Sequence, residues 1–400
     1  MSTEENTKFV PQLRFPEFRG AAGWTLKELG DCLDYLQPTQ YLVSSTAYSD
    51  SYQTPVVTAG KTFILGYTNE TDGVFDQPLP VIIFDDFTTA SQFVNFPFKA
   101  KSSAMKILLA KKNSNIKFVY ESMQRIDYEV GAHGRHWISA YAKIVLAVPE
   151  STEQQKIADC LSSLDELIAA QTRKVEALKT HKKGLMQQLF PREGETKPRL
   201  RFPEFRDAQE WVSEPLSELG EIITGKTPST TESDLWGGDI LFITPTDISE
   251  DEKYQLATAR TVVKTKNTKV LPEGSIVFTC IASVGKMALT VSPSITNQQI
   301  NAVVPNQKMA GEFVYYALLN LTPWIKTIPA SSTLAIINKT EFSRIVITYP
   351  KHKDEQHRIA DCLTSLDNLI TATTQELDAL KTHKKGLMQQ LFPSTEAIEA

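Results

Sequence analysis

Cysteine is scarce in this chain of 400 residues, and the four present, Cys32, Cys160, Cys280 and Cys362, include no C-x-x-C pair. Neither a zinc knuckle nor a dithiol redox motif is written here. Because Cys160 and Cys362 fall at matching places in a repeat, packing is their expected role. The histidines, His133, His136, His181, His352, His357 and His383, show no ligand spacing on a common helical face, so no metal site is expected. Long apolar runs are also missing: nothing approaches the about 18 residues of a membrane span, and no apolar signal core follows Met1. The expectation is a soluble, cytoplasmic protein. No Pro-Pro occurs, hence no Asn/Asp-Pro-Pro-aromatic tetrapeptide of a methyltransferase, and no glycine-rich loop follows a strand to cradle a nucleotide. For a nuclease there is a D-x-K fragment, Asp251-Glu252-Lys253 near Asp247, which reads as an exposed loop. Positive charge is not in excess either. A formal net charge of -5 argues against a uniformly basic nucleic-acid surface and leaves room for local basic patches.

What the chain does have is repetition. "ALKTHKKGLMQQLFP" at residues 177–191 recurs letter for letter at 379–393, and "EQQKIADCLSSLDELI" at 153–168 returns as "EQHRIADCLTSLDNLI" at 355–370. "PQLRFPEFR" at 11–19 returns as "PRLRFPEFR" at 198–206, followed by Trp24 and Trp211 respectively. Apolar residues at Ile157, Leu161, Leu164, Ile168, Val175, Leu178, Leu185 and Leu189 alternate spacings of four and three, with polar Gln171 and Lys182 filling the two missing places. This predicts one long helix, bracketed by Pro149 and Pro191, with Ser151 or Thr152 as its cap. Its copy lies between Pro350 and Pro393. Two such stripes in one chain predict an intramolecular coiled coil, antiparallel because a whole domain separates the helices along the sequence. Core packing tolerates volume-conserving swaps, so it does not explain why the polar letters of "KTHKKG" match as strictly as the leucines. Identical surfaces imply identical partners, which makes Lys179, Lys182, Lys183 and Gln187, with Lys381, Lys384, Lys385 and Gln389, the candidate docking residues.

The interiors between these flanks do not align by eye, and each reads as mixed α and β with strands predominating. Strands are predicted at 80–87 and 142–149, a hairpin at 63–75, further strands at 238–245, 274–282 and 342–350, and a helix at 312–321. The organisation expected is therefore a first globular domain at 1–150, a long helix at 151–191, a second domain with its linker at 192–350, a second long helix at 351–393 and a tail at 394–400. In class it is α+β, a pseudo-twofold repeat. Both interiors carry an acid-free basic stretch. One holds Lys99, Lys101, Lys106, Lys111, Lys112 and Lys117, with Ser102 and Ser103 among them; the other holds Arg260, Lys264, Lys266 and Lys269. Lysines interleaved with Ser, Thr and Asn suit phosphate contacts. Polar loops able to reach base edges complete the candidate set: Lys61, Tyr67, Asn69, His133, Arg135 and His136 in the first interior, Thr224, Lys226, Thr227, Ser229, Thr246, Ser283, Lys286, Asn297, Gln298 and Gln299 in the second.

Two recognition-like domains, each followed by a long helix ending in a near-duplicate "EQ..IA..L..LD.LI" and "K..KKGLMQQLF" segment, resemble the specificity subunit of a type I restriction-modification system over nearly the whole chain. The second interior carries "LGEIITGKTPS", "WGGDILFITPTDI", "LPEGSIVFTCIASVGK" and "NQQINAVVPN"; the first has "LQPTQYLV" in place of the "GKTPS" loop. The resemblance implies a non-catalytic subunit whose target-recognition domains each read one half of a bipartite double-stranded DNA site. It implies two methyltransferase subunits docked on the repeated helix surfaces, with restriction subunits joining them. S-adenosylmethionine, ATP and magnesium would then sit on those partners, and no cofactor on this chain. The alternative is a coiled-coil scaffold without DNA recognition.

Overall fold

The computed structural model describes residues 9–130, 134–266, 268–327 and 336–394. The chain divides into two compact units, Met1–Gln171 with Glu376–Ala400, and Thr172–Gln375. The divisions fall inside the long helices, so neither helix stands as a domain of its own.

Unit 1 contains β1 (Thr25–Glu28), α1 (Leu29–Cys32), β2 (Leu33–Leu36), β3 (Thr54–Val57), β4 (Ile64–Thr68), β5 (Val81–Asp85), β6 (Ser91–Val94), β7 (Lys99–Ala100) and β8 (Met105–Ala110). It continues with α2 (Ile116–Met123), α3 (His136–Ser139), β9 (Val145–Val148) and the first part of α4 (Ser151–Leu189). β5 is buried along almost its full length, as its unbroken apolar letters require of a central strand. Asn115 starts α2 by accepting a hydrogen bond from the Phe118 amide at 2.9 Å. Trp24, Phe84, Phe118, Trp137 and Leu161 share one core with Leu391 and Phe392 from the far end of the sequence.

Unit 2 runs through β10 (Val212–Pro215), α5 (Leu216–Leu219), β11 (Gly220–Thr224), β12 (Trp236–Ile243), β13 (Tyr254–Gln255), β14 (Arg260–Val262), β15 (Ile276–Thr279), β16 (Met287–Thr290), β17 (Ser294–Thr296) and β18 (Ile300–Pro305). Then come α6 (Gly311–Ile325), α7 (Lys339–Ser343), β19 (Val346–Tyr349) and the first part of α8 (Lys353–Leu391).

Although the interiors do not align as sequence, their sheets have the same strand order. β2-β8-β5-β6 corresponds to β11-β18-β15-β16, and β4-β3-β7 to β14-β12-β17, with β13 added among the described residues. β3 pairs parallel with β7 and antiparallel with β4, as β12 does with β17 and β14. Burial on a pleated sheet demands only apolar residues of suitable size, so one topology accepts unrelated letters. Three local expectations change, the first at 142–149, where the strand begins only at Val145 after a short helical turn at Tyr141–Lys143. The hairpin expected at 63–75 is not formed: β4 pairs with β3, and Phe75 makes only an isolated bridge to Phe98. The strand expected at 342–350 begins at Val346, because the Asn338 and Glu341 capping box commits the preceding residues to α7.

α4 and α8 are each 39 residues long, about 58 Å at 1.5 Å per residue. In unit 1 the start of α4 (Ile157, Leu161) packs with the end of α8 (Leu391); in unit 2 the start of α8 (Ile359, Leu363) packs with the end of α4 (Leu189). Each unit therefore contains an antiparallel pair. The repeated flanks hold each pair in the same way. Arg14 makes a two-pronged contact with Glu153 at 2.7 Å and bonds the Ala21 and Ala22 carbonyls. Arg201 does the same to Glu355, Ala208 and Gln209. The Leu13 amide donates to the Gln390 carbonyl and the Leu200 amide to that of Gln188, both at 2.9 Å. Each flank thus clasps the start of one long helix to the end of the other.

Candidate nucleic-acid interface

In unit 2 four loops lock into one another. Thr224, the last residue of β11, donates its hydroxyl to Asn301 Oδ1 at 2.6 Å, and Thr227 in the stretch that follows donates its hydroxyl to Gln298 Oε1 at 2.7 Å. Gly225 between them donates its amide to the Ile300 carbonyl at 3.1 Å. A Cβ there would lie 2.1 Å from the Asn297 carbonyl oxygen, so only glycine permits this approach. The β17–β18 turn is tied onward: the Asn297 amide bonds the Ile243 carbonyl at the end of β12, and Gln299 O accepts from the Cys280 amide in the β15–β16 hairpin. Lys286 Nζ of that hairpin reaches Ile248 O at 3.5 Å.

Within this cluster the side chains divide into braces and free groups. Asn297 is buried, donating to Gln299 Oε1 and accepting from the Gln299 amide, so it shapes the turn rather than reading bases. Thr224 is likewise spent on Asn301. Gln298 is exposed, and with Oε1 held by Thr227 its amide nitrogen is left with free donors. Lys226 and Thr246 are exposed, the latter bonded to Thr244 Oγ1 at 2.8 Å. Ser229, half-buried, bonds Thr231 Oγ1. Ser283 is half-buried and its carbonyl accepts from Thr279. Lys264 and Lys266 are exposed, and no carboxylate among the described residues pairs with them. One feature escaped the sequence: the Arg260 guanidinium lies 3.4 Å over the Trp236 ring, and Trp236 Nε1 bonds Ser229 O at 2.9 Å. The contact joins β14 to the stretch after β11 and holds a flat cation beside the loops; no spacing rule announces it.

Unit 1 corrects the basic stretch. Lys99 is buried, donating to Asp72 O at 2.6 Å and pairing with Glu70 at 2.8 Å. Lys106 is buried against Asp86 at 3.1 Å and over the Tyr35 ring. Lys117 pairs with Glu121 and Asp165 at 2.6 Å. These lysines are neutralised inside the protein and do not reach phosphates. Lys101 is half-buried, 3.3 Å from Tyr48 Oη. Ser102, Ser103, Lys61 and Asn69 are exposed, and Tyr67 is half-buried in β4. His136 is buried with Nδ1 3.3 Å from Tyr128 Oη, so it packs rather than reads; Arg135 before it is exposed. Asp86 gathers this region, accepting from the His136 and Trp137 amides at 2.9 and 2.8 Å and pairing with Lys106. His133 lies outside the described residues.

The docking set is also corrected. Lys182 pairs with Asp367, and Lys384 with Asp165 at 2.7 Å and Glu121 at 3.0 Å. Each repeated lysine therefore grips the aspartate in the other copy of the repeat, which by itself requires those letters twice. The exposed remainder is Lys179, Lys183 and Gln187 with Lys381, Lys385 and Gln389. As for a nuclease, the Asp247 carboxylate is used up by the Thr244 amide and hydroxyl and the Ala259 amide, and Lys253 is buried against Glu312. Among the described residues no helix is long and apolar enough to cross a membrane.

Comparison with known proteins agrees with this architecture. Residues 208–382 match the family described as Type I restriction modification DNA specificity domain. The chain is 35% identical over 375 residues to the EcoR124I/EcoR124II specificity subunit of Escherichia coli, covering 87% of this chain and 88% of the other. It is 36% identical over 146 residues to the HindI specificity subunit of Haemophilus influenzae, covering 35% and 32%. Its fold is similar to the S subunit of a type I restriction-modification system from M. genitalium, with a TM-score of 0.67 at 18% identity over 96% of this chain and 100% of that one. With two like units, each clasped to a helix pair by duplicated flanks, and a relative alike over nearly its full length, the chain belongs to the family of type I restriction enzyme specificity subunits.

Proposed function

We propose that each unit reads one half of a bipartite DNA sequence, and that the exposed repeated residues on α4 and α8 dock two copies of one methyltransferase subunit. The observation that carries this reading is the common strand order supporting unlike loop tips, which is what one frame serving two different half-sites needs. Contacts to bases fall to Gln298, Lys226, Thr246 and Arg260 in unit 2, and to Arg135, Ser102, Ser103, Lys61 and Asn69 in unit 1. Lys101, Lys264, Lys266 and Lys286 serve phosphates. The docking face is Lys179, Lys183 and Gln187 and their copies. Restriction subunits complete the assembly, S-adenosylmethionine, ATP and magnesium are held by the partners, and the complex works in the cytoplasm.

The test is exchange of residues 25–148 for the matching region of a relative, followed by mapping of methylated adenines. One half-site is expected to change and the other to stay. A map in which both halves change defeats the reading. Native mass measurement of the co-expressed complex is expected to give two methyltransferase copies per chain.

A further inference from the structure

Two grooves occupy equivalent places in the two units, and both run along an unpaired strand edge. In unit 1 a cavity of about 320 Å³ is walled by Ile126, Tyr128, Val145, Ala147, Phe392 and Pro393. In unit 2 one of about 880 Å³ is walled by Phe190, Pro191, Leu321, Trp324, Val346 and Thr348. Phe190-Pro191 and Phe392-Pro393 follow directly on α4 and α8 and are the last letters of the repeated segment. β9 pairs only with β1, and β19 only with β10, among the described residues. The Leu29 amide donates to Ile144 O and the Leu216 amide to Ile345 O. Since antiparallel pairs alternate, the backbone groups of Val145 and Ala147, and of Val346 and Thr348, point away from the ladder into the grooves. Pro215, which has no N–H, stands opposite Val346, as this alternation requires. Val346 is 51% and Trp324 46% exposed at the second groove.

Charge indicates what fits. Arg125 is half-buried at the first groove, 5.1 Å from the Phe392 ring centre and bonded to Pro393 O at 2.8 Å, and among the described residues no carboxylate pairs with it. Burial pulls its pKa down with no acid to oppose the shift. The second groove is rimmed by Arg192, Arg199 and Arg344 against Glu193. Asp127 also lines the first groove without pairing with Arg125, so what the first groove offers an extended chain is an open edge, an apolar wall and an arginine free to meet an incoming carboxylate.

We propose that the outer edges of β9 and β19 each accept, by strand addition, the same extended acidic segment of the methyltransferase subunit bound in two copies. This rests on the two-copy reading above and names the contact that reading leaves open. The test is backbone hydrogen exchange on the full chain, free and in the co-expressed complex, together with Val145→Pro and Val346→Pro. Proline there removes a groove-facing N–H and no ladder bond. The amides of Val145, Ala147, Val346 and Thr348 are expected to slow by about tenfold or more in the complex. Each proline variant is expected to weaken retention of one partner copy by about tenfold with an unchanged melting temperature, and Arg125→Glu to weaken the copy at the first groove alone. A complex with two partner copies in which those amides exchange as fast as in the free chain overturns the proposal and leaves the two-copy reading standing. Failure to obtain two copies overturns both.

Discussion

Lys106 and Lys264 look alike as letters in basic stretches, yet one is sealed against Asp86 and the other stands in solvent. Lys106→Ala strands a buried aspartate and is expected to cost about 3–5 kcal/mol of stability, read from urea unfolding, while leaving the salt dependence of DNA binding by the assembled complex unchanged. Lys264→Ala with Lys266→Ala is expected to leave stability intact and flatten the salt dependence by about one unit of slope for each phosphate deprived of its lysine. Gln298→Ala is expected to cost about 1–3 kcal/mol at a single position of one half-site, seen as relaxed methylation there. Asn297→Ala, which undoes the turn, should instead weaken that whole half-site. No sequence pattern separates these cases, because a lysine's role is decided by the carboxylate that folding brings to it from elsewhere in the chain.

The long helices were legible from the alternation of their apolar residues, and β5, β9 and β15 from short apolar runs. The shared sheet order was not, since burial constrains size and polarity rather than letters. Nor was the role of Lys182 and Lys384, because a repeated polar residue looks the same whether it meets a partner or its own copy. Burial, the largest single influence on the Asp165 carboxyl, raises its pKa, but the hydrogen bonds and positive charges of Lys117 and Lys384 together outweigh it and hold it below the ordinary aspartate range. A depressed folded value means the stabilisation is present above the unfolded value of about 3.9 and is lost as pH falls through the folded one. Asp165→Asn is therefore expected to lower stability at neutral pH and flatten its decline below about pH 4. A variant whose acid decline matches the wild type would show that the Asp165 contact contributes nothing to holding α2 and α8.

At the scale of the molecule, α4 and α8 each contribute residues to both units. Matched four-residue insertions, one after Lys174 in α4 and one at the equivalent place in α8, add about 6 Å of rise. At about 3.4 Å per base pair the preferred spacer between half-sites should grow by one or two positions with both half-sites unchanged, as read from a methylation map. The clasp between the first flank and the last helix also bears on how the protein is made. Unit 2 is one unbroken stretch, Thr172–Gln375, whereas the core around Trp24 needs Leu391 and Phe392. A ribosome emits the first recognition domain early but withholds the residues that close its core until the whole of unit 2 has been made. The domain translated first is the one finished last, and a released chain truncated after residue 375 would carry all of unit 2 but a first unit whose core lacks Leu391 and Phe392.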